Sequence, residues 1–359
     1  MAHRSQRGPR VSVALAACNA ADHIGRAIES VLNQSFESLE LIIVDCGSTD
    51  RTRAICDRYA ERDFRVDVLS QDSLDLSSAR GRALVRAQGD YLIFVNQDDW
   101  LGSGLLDTMV SAADESDADL VMAEFAIDSE REQCGRVSSI LAPAPNVWRS
   151  REEVRSGAVS LIESGTLSFV SGKLLRRARV VETCRTFETP CTEDAQFMIV
   201  YMRDLERASV VEGARYHLFY QGSQVNDAFD EHMFDRCERE FNRLYQLYGY
   251  WGLLCDSDAV ASLNRRHLRD VIRCIENAAV GTGAHIPAPT RRALIQKIVD
   301  SETTRRCAAS LKNDGHEFGI MYLPILKRNA GACLHSAHIQ DLVSRCVSSF
   351  MPSSAFVRV

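Results

Sequence analysis

The chain has 359 residues, enough for one large or two moderate domains, with 45% hydrophobic and 25% charged residues. That balance is ordinary for globular proteins and excludes collagenous, low-complexity and wholly disordered chains. No run approaches the ~20 consecutive apolar residues of a spanning helix, and a net charge of -7 argues against general nucleic-acid binding.

Residues 1–10 form a basic arm. Val11–Ala17 is a continuous apolar run of strand length. Its end, Leu15-Ala16-Ala17-Cys18, also resembles a bacterial lipoprotein cleavage box, but cleavage there would delete the first strand of the domain. Residues 20–34 place Ile24, Ala27, Ile28, Val31 and Leu32 on one helical face. Leu39–Asp45 reads as a second buried strand. Gly47-Ser48-Thr49-Asp50 breaks it and offers capping side chains to a helix over 51–60. Val66–Ser70 is a third strand, residues 77–87 a helix ending at Gly89, and 91–95 a strand running into Asn96-Gln97-Asp98-Asp99-Trp100. A helix over 104–113 and a strand over 120–125 come next. This βα repetition predicts an α/β fold, a mostly parallel sheet with helices on both faces.

The pattern weakens at Pro143 and resumes as a helix over 152–164. Residues 168–175 read as a strand turning into a short helix over 176–181, and 193–205 as a helix opening on two acids, a placement its positive end favours. Beyond Gln221-Gly222-Ser223 helical periodicity runs over 231–248, 258–279, 289–312 and 338–347. Residues 1–230 hold 25 Lys and Arg against 36 Asp and Glu, a net of -11, and residues 231–359 hold 17 against 13, a net of +4. Two modules with different surfaces fit this asymmetry, as does ordinary surface variation. The expected organisation is an arm at 1–10, an α/β domain at 11–225 and an all-helical module at 226–359. Twelve scattered cysteines without a C-x-x-C read as buried free thiols in a reducing compartment, not as a zinc site. Cys333-x-His335-x-x-His338 has metal-like residue types but no fourth ligand nearby.

Polar residues gather at the carboxyl ends of the strands: Asn19, Asp45, Asp98 and Asp99. In open α/β sheets that edge binds ligands. Neither G-x-G-x-x-G nor a Walker motif is present, so dinucleotide and P-loop sites lack support. Val11-Ser12-Val13, Asn19, the stretch Ser30-Val31-Leu32-Asn33-Gln34-Ser35-Phe36, Asp45-x-Gly47-Ser48-Thr49-Asp50, Asn96-Gln97-Asp98-Asp99-Trp100, Ser171-Gly172-Lys173-Leu174 and Glu193-Asp194 occur in one order. With Tyr216-His217-Leu218-Phe219-Tyr220 and Ser223, they resemble family 2 glycosyltransferases of the GT-A (Rossmann-like) fold, bacterial cell-surface type. The resemblance covers roughly residues 11–225.

It implies an inverting, divalent-metal-dependent glycosyltransferase that moves a sugar from a nucleotide-sugar donor, a UDP-sugar foremost, to a glycan or lipid-linked acceptor. The nucleotide sugar would meet Ala17, Asn19, Asp45, Cys46, Arg80, Asn96, Gln97 and Asp98. Asp98, with Asp99 as support or alternative, would hold Mn²⁺ or Mg²⁺. Asp194 would take the acceptor proton. The enzyme would work in the cytoplasm or at the inner face of the plasma membrane, its helical module contacting lipid or a second copy. From the residues alone, Asp98-Asp99 also reads as a solvated turn, and Glu193-Asp194 as a helix start. The chain departs from the family pattern at Ala16, Cys18, Cys46, Gly81 and Asn96. These departures leave three readings open: an active enzyme with an altered donor, one needing a partner, and a non-catalytic nucleotide-sugar binder.

Overall fold

The computed structural model describes residues 8–72, 76–131, 135–187, 194–221, 228–282 and 286–350. Chain contacts divide it into two compact units. The first comprises residues 1–129, 138–157 and 167–220, and the second residues 130–137, 158–166 and 221–359.

The first unit is built on a ten-stranded sheet. Strands β1 (Val11–Ala17), β2 (Leu39–Asp45), β3 (Val66–Ser70) and β4 (Tyr91–Asn96) stand in the order β3-β2-β1-β4 and are mutually parallel. β1 lies in the middle of that set, and every one of its residues but Ala16 is buried, as a strand covered on both faces requires. Helices α1 (Ile24–Leu32), α2 (Thr52–Arg62) and α3 (Leu76–Arg86) cross between them. α1 buries Ile24, Ala27, Ile28 and Val31, the face read from the sequence. Beyond β4 the sheet turns antiparallel. Short β5 (Trp100–Leu101), α4 (Leu105–Ser116), β6 (Leu120–Arg131), β7 (Gly135–Leu141), β8 (Asn146–Trp148), α5 (Arg151–Glu163) and β9 (Lys173–Arg176) come next in the chain. β9 runs against both β4 and β6. After α6 (Arg177–Phe187) and α7 (Asp194–Met202), the long β10 (Ala208–Gln221) lies beside β6 and pairs antiparallel with β5 and β8.

The strand expected to begin at Ser168 begins at Lys173. Gly172 holds φ +68 just before it, a backbone that breaks pairing. A Cβ on Gly172 would stand 2.4 Å from the Phe125 ring, so space and dihedral both demand glycine.

The second unit contains α8 (Met233–Trp251), α9 (Ser257–Val280), α10 (Ala288–Asp300), α11 (Glu302–Ser310), α12 (Tyr322–Leu326) and α13 (Ala330–Phe350). α9 is its spine: Leu268, Val271, Ile275 and Ala278 pack with Ile295, Val299, Met321 and Cys333. The single helix expected over 289–312 is two. Ser301 is extended (φ -54, ψ 136) and its hydroxyl accepts from the Thr304 amide, ending one helix and capping the next. Cys333 is buried while His335 and His338 are exposed, so the thiol points away from both imidazoles, and among the described residues no group of three or more His, Cys, Asp and Glu could hold a metal ion.

Candidate active site

The carboxyl edge of the parallel strands carries the site. The turn after β1 is held by side chains at four consecutive amides. Cys18 N donates to Gln97 Oε1 (2.7 Å), Asn19 N to Ser48 Oγ (3.0 Å), Ala20 N to Thr52 Oγ1 (2.7 Å) and Ala21 N to Asp50 Oδ2 (3.1 Å). Asn19 takes the left-handed backbone, φ 48, that Asn tolerates better than most residues. Its Oδ1 accepts from the Thr49 amide at 2.9 Å. The polar cluster 47–50 was expected to cap the following helix. Asp50 does bond the Thr52 amide, but the cluster mainly laces two loops together.

The expected nucleotide residues separate into several roles. Ala17 is fully buried and its carbonyl accepts from Cys46 N (2.8 Å), so its part is backbone only. Asp45 ends β2 nearly buried, and its Oδ1 is buried without a hydrogen-bond donor among the described residues. Such an oxygen is costly unless a ligand N–H or O–H meets it. Cys46, expected among the nucleotide-sugar-binding residues, is wholly buried, with its thiol directed at the Val44 carbonyl (3.7 Å). Gln97 braces the β1 turn.

Asn96 is central. Its amide NH₂ donates to Asp99 Oδ2 (2.8 Å), its Oδ1 accepts from Arg80 (3.3 Å), and its backbone N–H donates to the Tyr216 hydroxyl (3.1 Å). An aspartate here would set a second carboxylate against buried Asp99, whereas Asn supplies the donor that Asp99 needs. Asp99 also accepts from the Tyr216 hydroxyl (2.8 Å) and, through Oδ1, from Phe219 N (3.0 Å). Burial, opposed by these three donors, leaves its carboxyl above the usual carboxylate range. Asp99, expected as a metal ligand or its support, thus ties β10 to the β4 loop with most of its lone pairs engaged. Asp98 is half-buried, its carbonyl accepts from Arg26 (2.7 Å), and its carboxylate bonds no described side chain or amide.

Asp194 opens α7, and Arg80, on α3, forms an ion pair with its Oδ1 while Val170 N donates to its Oδ2 (3.1 Å). Two residues 114 apart in the chain, assigned separately to diphosphate and proton transfer, are in direct contact. Glu193 lies outside the described residues.

Three features escaped the sequence reading. Lys173 has no exposed surface, and burial lowers its ammonium to about 7 against a raising influence from Asp194. His217 Nδ1 pairs with buried Asp128 (2.7 Å), and its ring stacks on Trp100 at 4.8 Å. Arg26 lies between the Trp100 and Phe219 rings, 4.1 and 4.3 Å from their centroids. The sequence signal for the last two was Tyr216-His217-Leu218-Phe219 alternating beside Trp100; for Lys173 it was only a charged residue inside an apolar strand.

Residues 12–177 match the model of the family described as glycosyl transferase family 2. Residues 12–177 form a family 2 glycosyltransferase domain. Its enzyme class is that of the nucleotide-sugar-dependent glycosyltransferases. The uncharacterized glycosyltransferase EpsJ of Bacillus subtilis is 25% identical over 269 residues, 72% of this chain and 76% of that one. The cholesterol galactosyltransferase of Borreliella burgdorferi is 26% identical over 225 residues, 61% of this chain and 62% of that one, so the match spans under two thirds of that relative. The crystal structure of S. aureus TarS 1-349 in complex with UDP-GlcNAc superposes with a TM-score of 0.56 at 15% identity, covering 92% of each chain. That likeness is one of fold, and the fold of the glycosyltransferase domain is GT-A.

Proposed function

We propose that this family 2 glycosyltransferase is an inverting, divalent-metal-dependent enzyme that moves a sugar from a UDP-sugar to a glycan or lipid-linked acceptor of the cell envelope. The observation that carries the reading is the convergence of Arg80, Asn96 and Asp194 at the carboxyl edge of the sheet, the edge on which Asp45 ends β2 with a buried oxygen that no described group answers. Asp45 Oδ1 accepts from the nucleoside, Asn19 borders it, and Asn96 with Gln97 fixes the floor on which the donor lies. Arg80 is shared between the donor's diphosphate and Asp194. The Asp194 carboxylate takes the acceptor hydroxyl's proton. The acceptor oxygen then bonds the anomeric carbon opposite the leaving group, the bond from that carbon to the phosphate oxygen breaks, and the diphosphate departs with the electron pair. One displacement inverts the anomeric centre.

The donor set suits Mn²⁺ or Mg²⁺. Asp98 offers a hard, partly exposed carboxylate, and such cations complete their shells with phosphate oxygens and water rather than an all-protein cage. A cation held there would neutralise charge developing on the diphosphate. The domain limits 11–225 and 226–359 belong to the same reading, as does a cytoplasmic or inner-membrane-face location. No described helix is long and apolar enough to cross a membrane. In the helical unit, Ile339, Leu342 and Val343 are exposed on one face of α13. Meanwhile Arg265 and Arg269 pair with Glu163, and Arg266 with Glu240. The apolar face, more than the arginines, suits a second copy or the membrane.

Asp194→Asn tests the assignment. It keeps the shape but not proton acceptance, so transfer or hydrolysis of UDP-GlcNAc should fall roughly 10²–10⁴-fold, with donor affinity by calorimetry nearly unchanged. Wild-type turnover in that variant would remove the base assignment.

A further inference from the structure

The peptide unit joining Phe169 to Val170 lies between two charged side chains. Its carbonyl accepts a hydrogen bond from Lys173 Nζ (2.5 Å), and its N–H donates to Asp194 Oδ2 (3.1 Å). Lys173 is wholly buried, with its ammonium 4.4 Å from the Phe169 ring centroid and 5.1 Å from that of Phe125. Gly172, which only glycine can occupy, turns the chain so that the lysine can reach back four residues to this carbonyl.

We propose that Lys173 is a positioning residue for the catalytic carboxylate, acting through the Phe169–Val170 peptide, which its ammonium polarises so that the Val170 N–H holds Asp194 in place. This rests on the reading of Asp194 as the base. The physics is that of a short hydrogen-bonded chain: a cation on the carbonyl strengthens donation by the N–H of the same amide, more so where water is absent. A buried lysine in an apolar strand costs stability, whereas methionine would fill the same space without desolvating a charge. Burial lowers Lys173 to about 7, close to neutrality. Among the described residues Asp194 is the charge that acts on it, and Arg80 shares that carboxylate from α3. The hold on Asp194 is therefore strong below about 7 and weakens as the lysine loses its proton.

The test is solution NMR on the full chain, labelled with ¹³C-carbonyl Phe and ¹⁵N-Val. Only Phe94-Val95, Phe169-Val170 and Phe356-Val357 then give correlated signals. The Val170 amide proton should move downfield as pH falls through about 7. The movement should be absent in Lys173→Met, and Lys173→Arg, which does not titrate in this range, should keep the amide shifted but flat. A Val170 amide in the wild type that is indifferent to pH between about 5 and 9 would overturn the proposal without any variant having to fold. In UDP-GlcNAc hydrolysis, Lys173→Met should lower kcat by roughly 10–100-fold with little change in KM, and should add nothing in an Asp194→Asn background. An undiminished Lys173→Met effect in that background would also overturn it. Asp194→Asn at wild-type turnover would instead defeat the base assignment while the Val170 titration stood.

Discussion

Replacing Tyr216 with Phe removes a single oxygen from the middle of the site, and its cost comes from the hydrogen bonds that oxygen makes. The hydroxyl is wholly buried; it donates to Asp99 Oδ2 and accepts from Asn96 N. Removing it leaves the Asn96 amide without its acceptor, costing about 1–3 kcal/mol, and takes from Asp99 a bond to a charged group worth about 1.5–3 kcal/mol. Asp99 keeps Asn96 Nδ2 and Phe219 N, so the lower half of each range applies and the sum is about 2–4 kcal/mol. For a unit of this size that is a fall of roughly 4–16 °C in Tm. Its pH dependence has a definite sign. The Asp99 carboxyl stands above its ordinary range because burial penalises its ionised form, while Tyr216 is one of the groups pulling it down. A raised carboxyl favours the folded state below the unfolded pKa, and that contribution is lost as pH rises through the folded value. Losing the hydroxyl raises Asp99 further, so the deficit should be larger at about pH 8 than at about pH 5. Scanning fluorimetry of both proteins at the two pH values measures it. A loss below about 0.5 kcal/mol, or an equal loss at both pH values, would show that Tyr216 does not carry Asp99.

Gly172→Ala combines a left-handed backbone with a Cβ placed against the Phe125 ring; stability to urea should fall by about 2–4 kcal/mol, and a change under 1 kcal/mol would mean that β9 can shift at little cost. Asp98→Ala should abolish the Mn²⁺-dependent part of UDP binding in calorimetry with the melting temperature kept, while unchanged metal dependence would move that role elsewhere. For His267 of α9, burial alone would lower the imidazole, but Cys237 and Glu238 outweigh it and bring it to about 9. The stability it contributes is full below the unfolded value and lost as pH rises through about 9, so His267→Gln should flatten that decline, and an unaltered slope in hydrogen exchange of α9 would refute it.

Local signals reached the parallel half of the sheet. Val11–Ala17, Leu39–Asp45 and Val66–Ser70 could be bounded because buried parallel strands are uninterrupted apolar runs ended by polar residues. The antiparallel half was harder. β5 and β8 are two and three residues long and exist through their pairing with β10, which no short window contains. The break at Ser301 was legible in hindsight, since Ser-Glu-Thr-Thr is an N-cap signature inside a longer periodic run. At the site, residue types read from a resemblance could name Arg80, Asn96, Asp98 and Asp194. They could not show that Arg80 bonds Asp194 or that Asn96 answers Asp99, because those contacts join distant strands and helices. Lys173 was hidden for a further reason: lysine is normally read as surface, and only the ring pair around it reveals the burial.

The lacing of the β1 turn bears on how this enzyme could be re-engineered. Four successive amides there are each answered by a side chain from another segment: Gln97, Ser48, Thr52 and Asp50. A mutant library aimed at donor preference that randomised these positions would mostly collect variants with a displaced turn, in which altered selectivity and lost folding are confounded. Cys46 is no easier a target, since its buried thiol has no room to grow. Asp98 differs from its neighbours Gln97 and Asp99, each of which answers an amide: its carboxylate bonds no described side chain or amide, so a change there would spare the turn and act on the cation it is proposed to hold.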